Sequence, residues 1–86
     1  MSEQELEEVG RVSHFFTKIN VAIVELTSTL SVGDRILIKG PTTNFEQTVN
    51  SMQIEHEDVT VAKVGQSIGM KVEERVREDD TVYKIL

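Results

Sequence analysis

Side chains branched at Cβ dominate the apolar residues of this 86-residue chain, and that constrains its fold more than any other feature. Valine and isoleucine number 19, whereas alanine and leucine together number 7, and eight threonines push the same way. Branching at Cβ costs rotamer freedom against a helical turn but packs well on a pleated surface. An all-β chain is the expectation. Its length allows one domain, near the size where folding buries only about 60% of the surface the unfolded chain exposes. No cysteine is present, so neither a disulfide nor a Cys-based zinc site can help, and packing alone must hold the fold. The longest apolar run, Val21-Ala22-Ile23-Val24, is far short of the about 20 residues a membrane helix needs. A cytoplasmic, membrane-free monomer is expected.

The formal net charge is −6, but it is unevenly spread. Glu3, Glu5, Glu7 and Glu8 stand in the first eight residues, which hold no base, leaving 9 basic against 11 acidic residues in the rest. Residues 1–7 therefore read as a disordered acidic tail and residues 8–86 as a single β domain.

Short apolar runs cut by turn residues fill the remainder. The first strand carries Val9-Gly10-Arg11-Val12 and continues towards Phe15; the second runs from Ile19 to Leu26, apolar on both faces. Leu30-Ser31-Val32-Gly33-Asp34 is a turn feeding Arg35–Lys39, and Gly40-Pro41 ends that strand because Pro41 lacks an N–H. Phe45–Glu55 reads as the longest strand. Its apolar parity switches near Asn50-Ser51, which predicts a bulge or sharp coil there. Val59–Val64 and Ser67–Val72 flank a Gly65-Gln66 turn, and Thr81–Ile85 follows the acidic turn Glu78-Asp79-Asp80. Six or seven short strands without a helix point to a small closed Greek-key barrel, since closure removes exposed edges.

Four pieces, in order, carry a resemblance. They are Val9-Gly10-Arg11-Val12, then Leu30-Ser31-Val32-Gly33-Asp34-Arg35-Ile36, then Asn50-Ser51-Met52-Gln53-Ile54-Glu55-His56-Glu57 followed by Ala62, and finally Gly65-Gln66-Ser67-Ile68-Gly69-Met70-Lys71-Val72. Across residues 9–86 the set resembles the second-domain β-barrel of translation elongation factors such as elongation factor Tu. The segments His14–Ile19 and Thr42-Thr43-Asn44-Phe45 are similar to a narrower group: free-standing elongation-factor-like proteins and the C-terminal barrel of collagenase-like peptidases. The resemblance implies a translation-factor-type barrel. It implies no GTPase activity, because no Gly-x-x-x-x-Gly-Lys-Ser/Thr loop is present to hold a nucleotide's phosphates. Gln53, Gln66 and Asp79-Asp80 depart from the elongation-factor pattern, so the fold carries over and the aminoacyl-tRNA contacts do not.

No catalytic or metal site, and no cofactor, is expected. His56 lies among carboxylates in Glu55-His56-Glu57-Asp58, but neighbouring strand residues point to opposite faces, so the segment reads as a solvated turn. Gly65-Gln66-Ser67-Ile68-Gly69 has the letters of a nucleophile elbow, yet Ser67 opens an alternating strand where the elbow requires a strand, a turn and a helix. Arg75 and Arg77, in a densely charged stretch, read as a solvated loop. The surface with most to offer is the first hairpin. There Arg11, His14, Phe15, Phe16 and Lys18 would combine aromatic faces with cations, the ingredients of a single-strand nucleic-acid platform; alternatively, both rings are packed. Adjacent strand residues face opposite sides, so one ring should be buried and the other exposed. The favoured reading is a non-enzymatic module contacting RNA or a ribonucleoprotein, although a net charge of −6 opposes phosphate binding. The alternative is a protein-interaction barrel that docks on a larger enzyme such as a collagenase-like peptidase.

Overall fold

The structure is a computed structural model that describes residues 5–86. Ten strands follow one another: β1 (Leu6–Phe16), β2 (Val21–Leu26), β3 (Leu30–Ser31), β4 (Arg35–Lys39), β5 (Asn44–Thr48), β6 (Met52–Ile54), β7 (Glu57–Val59), β8 (Val61–Ala62), β9 (Ser67–Lys71) and β10 (Thr81–Ile85). No helix occurs among the described residues, as the β-branched composition dictates. Eight strands form one antiparallel sheet in the order β5-β4-β10-β1-β2-β9-β6-β7, and β3 pairs with β8 in a separate ribbon. Of the expected tail, residues 1–4 lie outside the described residues. Leu6 and Glu7 belong to β1, in register with Ile85 and Lys84 of β10.

The apolar sides of the strands meet in one core. In β4, Ile36 and Ile38 are buried between exposed Arg35 and Lys39; in β9, Ile68 and Met70 are buried between exposed Ser67 and Lys71. Val9, Val12, Ala22, Val24, Met52 and Val82 complete its centre. Val76, between the two solvated arginines, is buried with them.

The expected closed barrel is not found. β5 and β7 stand at opposite ends of the sheet order and do not pair. The strand expected over Phe45–Glu55 is divided at residues 49–51, where the parity switch was predicted. Phe45, Gln47 and Val49 point inward before the break and Met52 after it. At the break the Val49 amide donates to Asp34 O (2.9 Å) and its carbonyl accepts from Gly33 N (2.8 Å), so the chain stays tied to the segment just before β4 up to Val49 and leaves it only after that residue. β6 consequently pairs with only Gly69 and Met70 of β9. The segment expected as one strand over Val59–Val64 divides likewise, β7 turning back on β6 and β8 joining β3.

The edge that β6 leaves open is filled by a side chain. Gln47, 1% exposed, donates from Nε2 to the Lys71 carbonyl (3.0 Å), and its Oε1 accepts from the Glu73 amide (2.8 Å). A primary amide presents the same donor and acceptor as a peptide unit, so Gln47 acts there as one further rung of the ladder.

Two tight turns carry backbone conformations that L-residues adopt at a cost. β6 and β7 are joined by only two residues, Glu55 and His56, with φ of 51° and 67°. Positive φ at both positions is the pattern of a type I′ hairpin turn, which prefers Asn-Gly. Asn20, ending the β1–β2 loop, has φ 54°, which asparagine tolerates better than most residues.

Two outcomes follow. Gln47→Leu keeps the volume but strands a carbonyl and an amide, and should lower stability by about 2–4 kcal/mol in urea unfolding. Gln47→Glu can still accept from the Glu73 amide but can donate to the Lys71 carbonyl only when protonated. Its folded-state pKa is therefore raised, and its deficit relative to wild type should shrink as pH falls towards 4 and grow as pH rises; a deficit independent of pH would refute the rung. The double substitution Glu55→Asn/His56→Gly should raise stability by about 1–2 kcal/mol, read as a higher urea midpoint at unchanged slope.

Candidate functional site: an apolar groove beside the first hairpin

Two irregularities in β1 decide what the first hairpin presents. Its register with β10 shifts between Glu8 and Gly10, and its register with β2 shifts between Val12 and His14. The second shift leaves Ser13 as the extra residue, and its hydroxyl donates to the Ile23 carbonyl (3.2 Å). A bulge of one residue inverts the alternation beyond it. Val12 is buried, yet two residues later His14 is exposed. Phe15 turns inward against the core, and Phe16, 45% exposed, turns outward. One ring in and one out was expected, and the bulge selects which.

On the outer face the register aligns side chains in rows. Phe16 lies opposite Val21, which lies opposite Lys71; His14 lies opposite Ile23, which lies opposite Gly69 and then Gln53. Gly69 has no side chain, so the second row carries a depression between Ile23 and Gln53. A Cβ placed there would meet Val21 Cγ1 at 3.5 Å and Ile23 Cδ1 at 3.7 Å, ordinary contact distances. The result is a groove of about 350 Å³ walled by Phe16, Ile19, Val21 and Ile23, with the strained Glu55–His56 turn at its rim. Ile19 sits in the four-residue loop closed by the Phe16–Val21 pair and is 57% exposed.

The expected platform residues are thus only partly assembled. His14 and Phe16 share the outer face, their rings edge-on at 4.5 Å. Lys18 is exposed on the loop and lines a shallow hollow with Phe16 and Ile19. Phe15 is on the opposite face. Arg11 lies beyond the bulge, opposite Glu25. His14 Nδ1 is 3.4 Å from a carboxylate oxygen of Glu78, which sets a negative charge beside the ring where a phosphate would approach. Ile19, Val21, Ile23, Gly69 and Lys71 were not anticipated as site residues. The available signal was the absence of any acidic residue from 9–24 and from 59–72 in a chain of net charge −6.

The remaining candidates lie elsewhere. His56 is exposed in the two-residue turn, and Ser67 opens β9 opposite Glu25. No group of three or more His, Cys, Asp or Glu side chains converges as a metal site among the described residues. No helix there is long and apolar enough to cross a membrane.

No family model matches the chain. It is 51% identical over 77 residues to an uncharacterized protease of Methanocaldococcus jannaschii, a match covering 88% of this chain and 19% of that protein. It is 38% identical over 78 residues to a collagenase of Porphyromonas gingivalis, covering 88% of this chain and 22% of that one. The chain therefore spans about a fifth of the length of the curated relatives it matches. Among solved structures it is similar to the C-terminal domain of a Geobacillus thermoleovorans protein named as a U32 peptidase. The TM-score is 0.86 at 22% identity, over 91% of each chain. The selenomethionine variant of the same domain gives 0.85, over 88% of this chain and 96% of that one. The expected kinship with translation elongation factors finds no support in these matches. The homologues are named as a protease and a collagenase, and the fold is that of the C-terminal domain of the protein named as a U32 peptidase.

Proposed function

We propose that this chain is a non-enzymatic docking module of collagenase-like peptidases, presenting the outer face of the β1–β2 hairpin to a protein partner. The observation that carries the reading is the extent of the likeness. At 51% identity it runs through nearly the whole domain yet accounts for 19% of the protease. A segment that recurs as one fifth of a hydrolase, on a fold that occurs as a C-terminal domain, is suited to positioning and recognition while chemistry is performed elsewhere in that hydrolase. The surface supports the same reading. A half-exposed phenylalanine next to exposed Ile19 is the kind of apolar aromatic anchor that protein interfaces favour. Whether the domain is joined to the catalytic part or meets it as a separate chain, its contribution is the same.

The test uses the M. jannaschii protease with the segment matching this chain removed. Mixed with this chain and followed by sedimentation velocity, the two should form a one-to-one complex with micromolar or tighter affinity, about −8 kcal/mol or better. Restored cleavage of an unfolded protein substrate on adding this chain would support the reading further. No complex and no change in cleavage, together with salt-sensitive binding of bulk tRNA to this chain, would transfer the function to RNA.

A further inference from the structure

The groove lies within an unusual electrostatic setting. Residues 9–24 supply β1 and β2 from His14 to Val24 and contain no acidic residue; neither do residues 59–72, which supply β9. These segments are neighbours in the sheet. Lys18 in the hairpin loop and Lys71 in β9 thus stand on this side of a protein of net charge −6, with Arg11 in β1 and Lys63 in the loop before β9. Among the described residues none of these four has a carboxylate oxygen within 4.0 Å, whereas Arg35 and Lys84 are paired with Glu46 and Asp34. Lys71 is next to Val21, a wall of the groove, and Lys18 is next to Phe16 and Ile19. At the other rim stand Gln53, Glu55 and His56. One end of the groove is cationic and the other is not.

We infer that the groove binds an extended peptide segment with one large apolar side chain over Gly69 and carboxylates beside it at the Lys18–Lys71 end. This rests on the protein-docking reading and deepens it by naming the partner's chemistry. Charge complementarity carries it: Lys71 stands beside Val21 and Lys18 beside Phe16 and Ile19, neither with a carboxylate partner among the described residues, and an acidic segment satisfies both. Fit supports it too. The depression over Gly69 has ordinary contact distances at its floor, so an entering methyl or ring edge replaces no protein atom. Flat walls of Phe16, Val21 and Ile23 suit an aromatic or aliphatic group.

The experiment measures affinities of fluorescein-labelled decapeptides having a central Phe, Leu or Ser flanked on one side by Asp, Gln or Lys. It is paired with amide NMR shifts on labelled protein. The Asp-flanked Phe peptide should bind at least about threefold more tightly than its Gln counterpart and tighter still than its Lys counterpart, with the preference fading as salt rises. Shifts should centre on Phe16, Ile23, Gly69 and Lys71. Lys71→Glu, at an exposed position, should abolish the Asp preference. Gly69→Leu, whose Cβ is accommodated, should fill the groove and abolish the Phe-over-Ser preference while leaving the rest of the spectrum in place. Equal binding of Asp- and Lys-flanked peptides, or shifts away from the groove, overturns the inference. So do concentration-dependent shifts at Phe16 and Gly69 without peptide, which would make a second copy the occupant, and so does displacement of every peptide by poly-uridine RNA. If Gly69→Leu and Lys71→Glu still form the one-to-one complex with the truncated protease, the groove assignment falls and the docking reading stands.

Discussion

A side-chain amide completes what the backbone leaves unpaired, and the sheet depends on it. β6 is too short to run the length of β9 because the chain turns at residues 49–51. A buried edge with free peptide groups would cost about 1–3 kcal/mol for each unsatisfied donor or acceptor. Gln47 lies at the one odd position of β5 between Phe45 and Val49, so its side chain points inward with theirs. From there it reaches Lys71 O and Glu73 N at once. The exchange is favourable because both partners are backbone groups, one at the last residue of β9 and one two residues beyond it, that would otherwise face a gap. It also explains how an open sheet can have a continuous core. The β5 side is tied to the β9 side without a strand between them.

The two shifts in β1 are the second constraint, and the surface follows from them. Val9 and Val12 are both buried although three residues apart, which simple alternation forbids. The first shift reconciles them. It also brings Gly10 so close to β2 that a Cβ would stand 2.7 Å from Glu25 O and from Val24 Cγ1, so only glycine fits. The second shift then turns Phe15 inward, where it extends the core, and releases Phe16 to the outside. Without it, Val12, His14 and Phe16 would share one face, and the outer wall of the groove would be missing. Ser13 stabilises the arrangement by occupying the Ile23 carbonyl that the bulge disturbs.

How much of this was legible follows from the range of each cause. β-branched composition, the Ile36/Ile38 and Ile68/Met70 alternations and the parity switch near Asn50-Ser51 are local, and the sequence displays them. Closure is not local. It depends on whether β5 and β7 can meet, and the contacts around that gap join segments distant in sequence, Val49 with Asp34 and Gly33 and Gln47 with Lys71. Barrel closure was therefore inferred from strand number alone, and that number was too small because strands of two and three residues leave no periodic trace. The β6–β7 turn escaped for a related reason. Glu55-His56 lacks the Asn-Gly signature, and its strained conformation is imposed by the pairing of Ile54 with Glu57. The site was half visible. His14, Phe16 and Lys18 are adjacent in sequence, whereas Gly69 and Lys71 reach them only through the β2–β9 register.

The size of the groove limits what such a module can do alone. An aromatic side chain buries roughly 150–250 Å², or about 4–6 kcal/mol at 25 cal/mol/Å². Association costs about 4 kcal/mol or more before any surplus appears. A single inserted side chain thus leaves little net affinity, and the flanking lysines add about 1 kcal/mol each at most in exposed positions. Binding by the groove is weak unless the occupant is already held nearby. A module of that strength is useful when coupled to a second site, where a short connection supplies effective concentrations in the millimolar range. In the proposed complex the rest of the hairpin face supplies that second contact, so the groove selects the segment while the wider interface supplies the affinity.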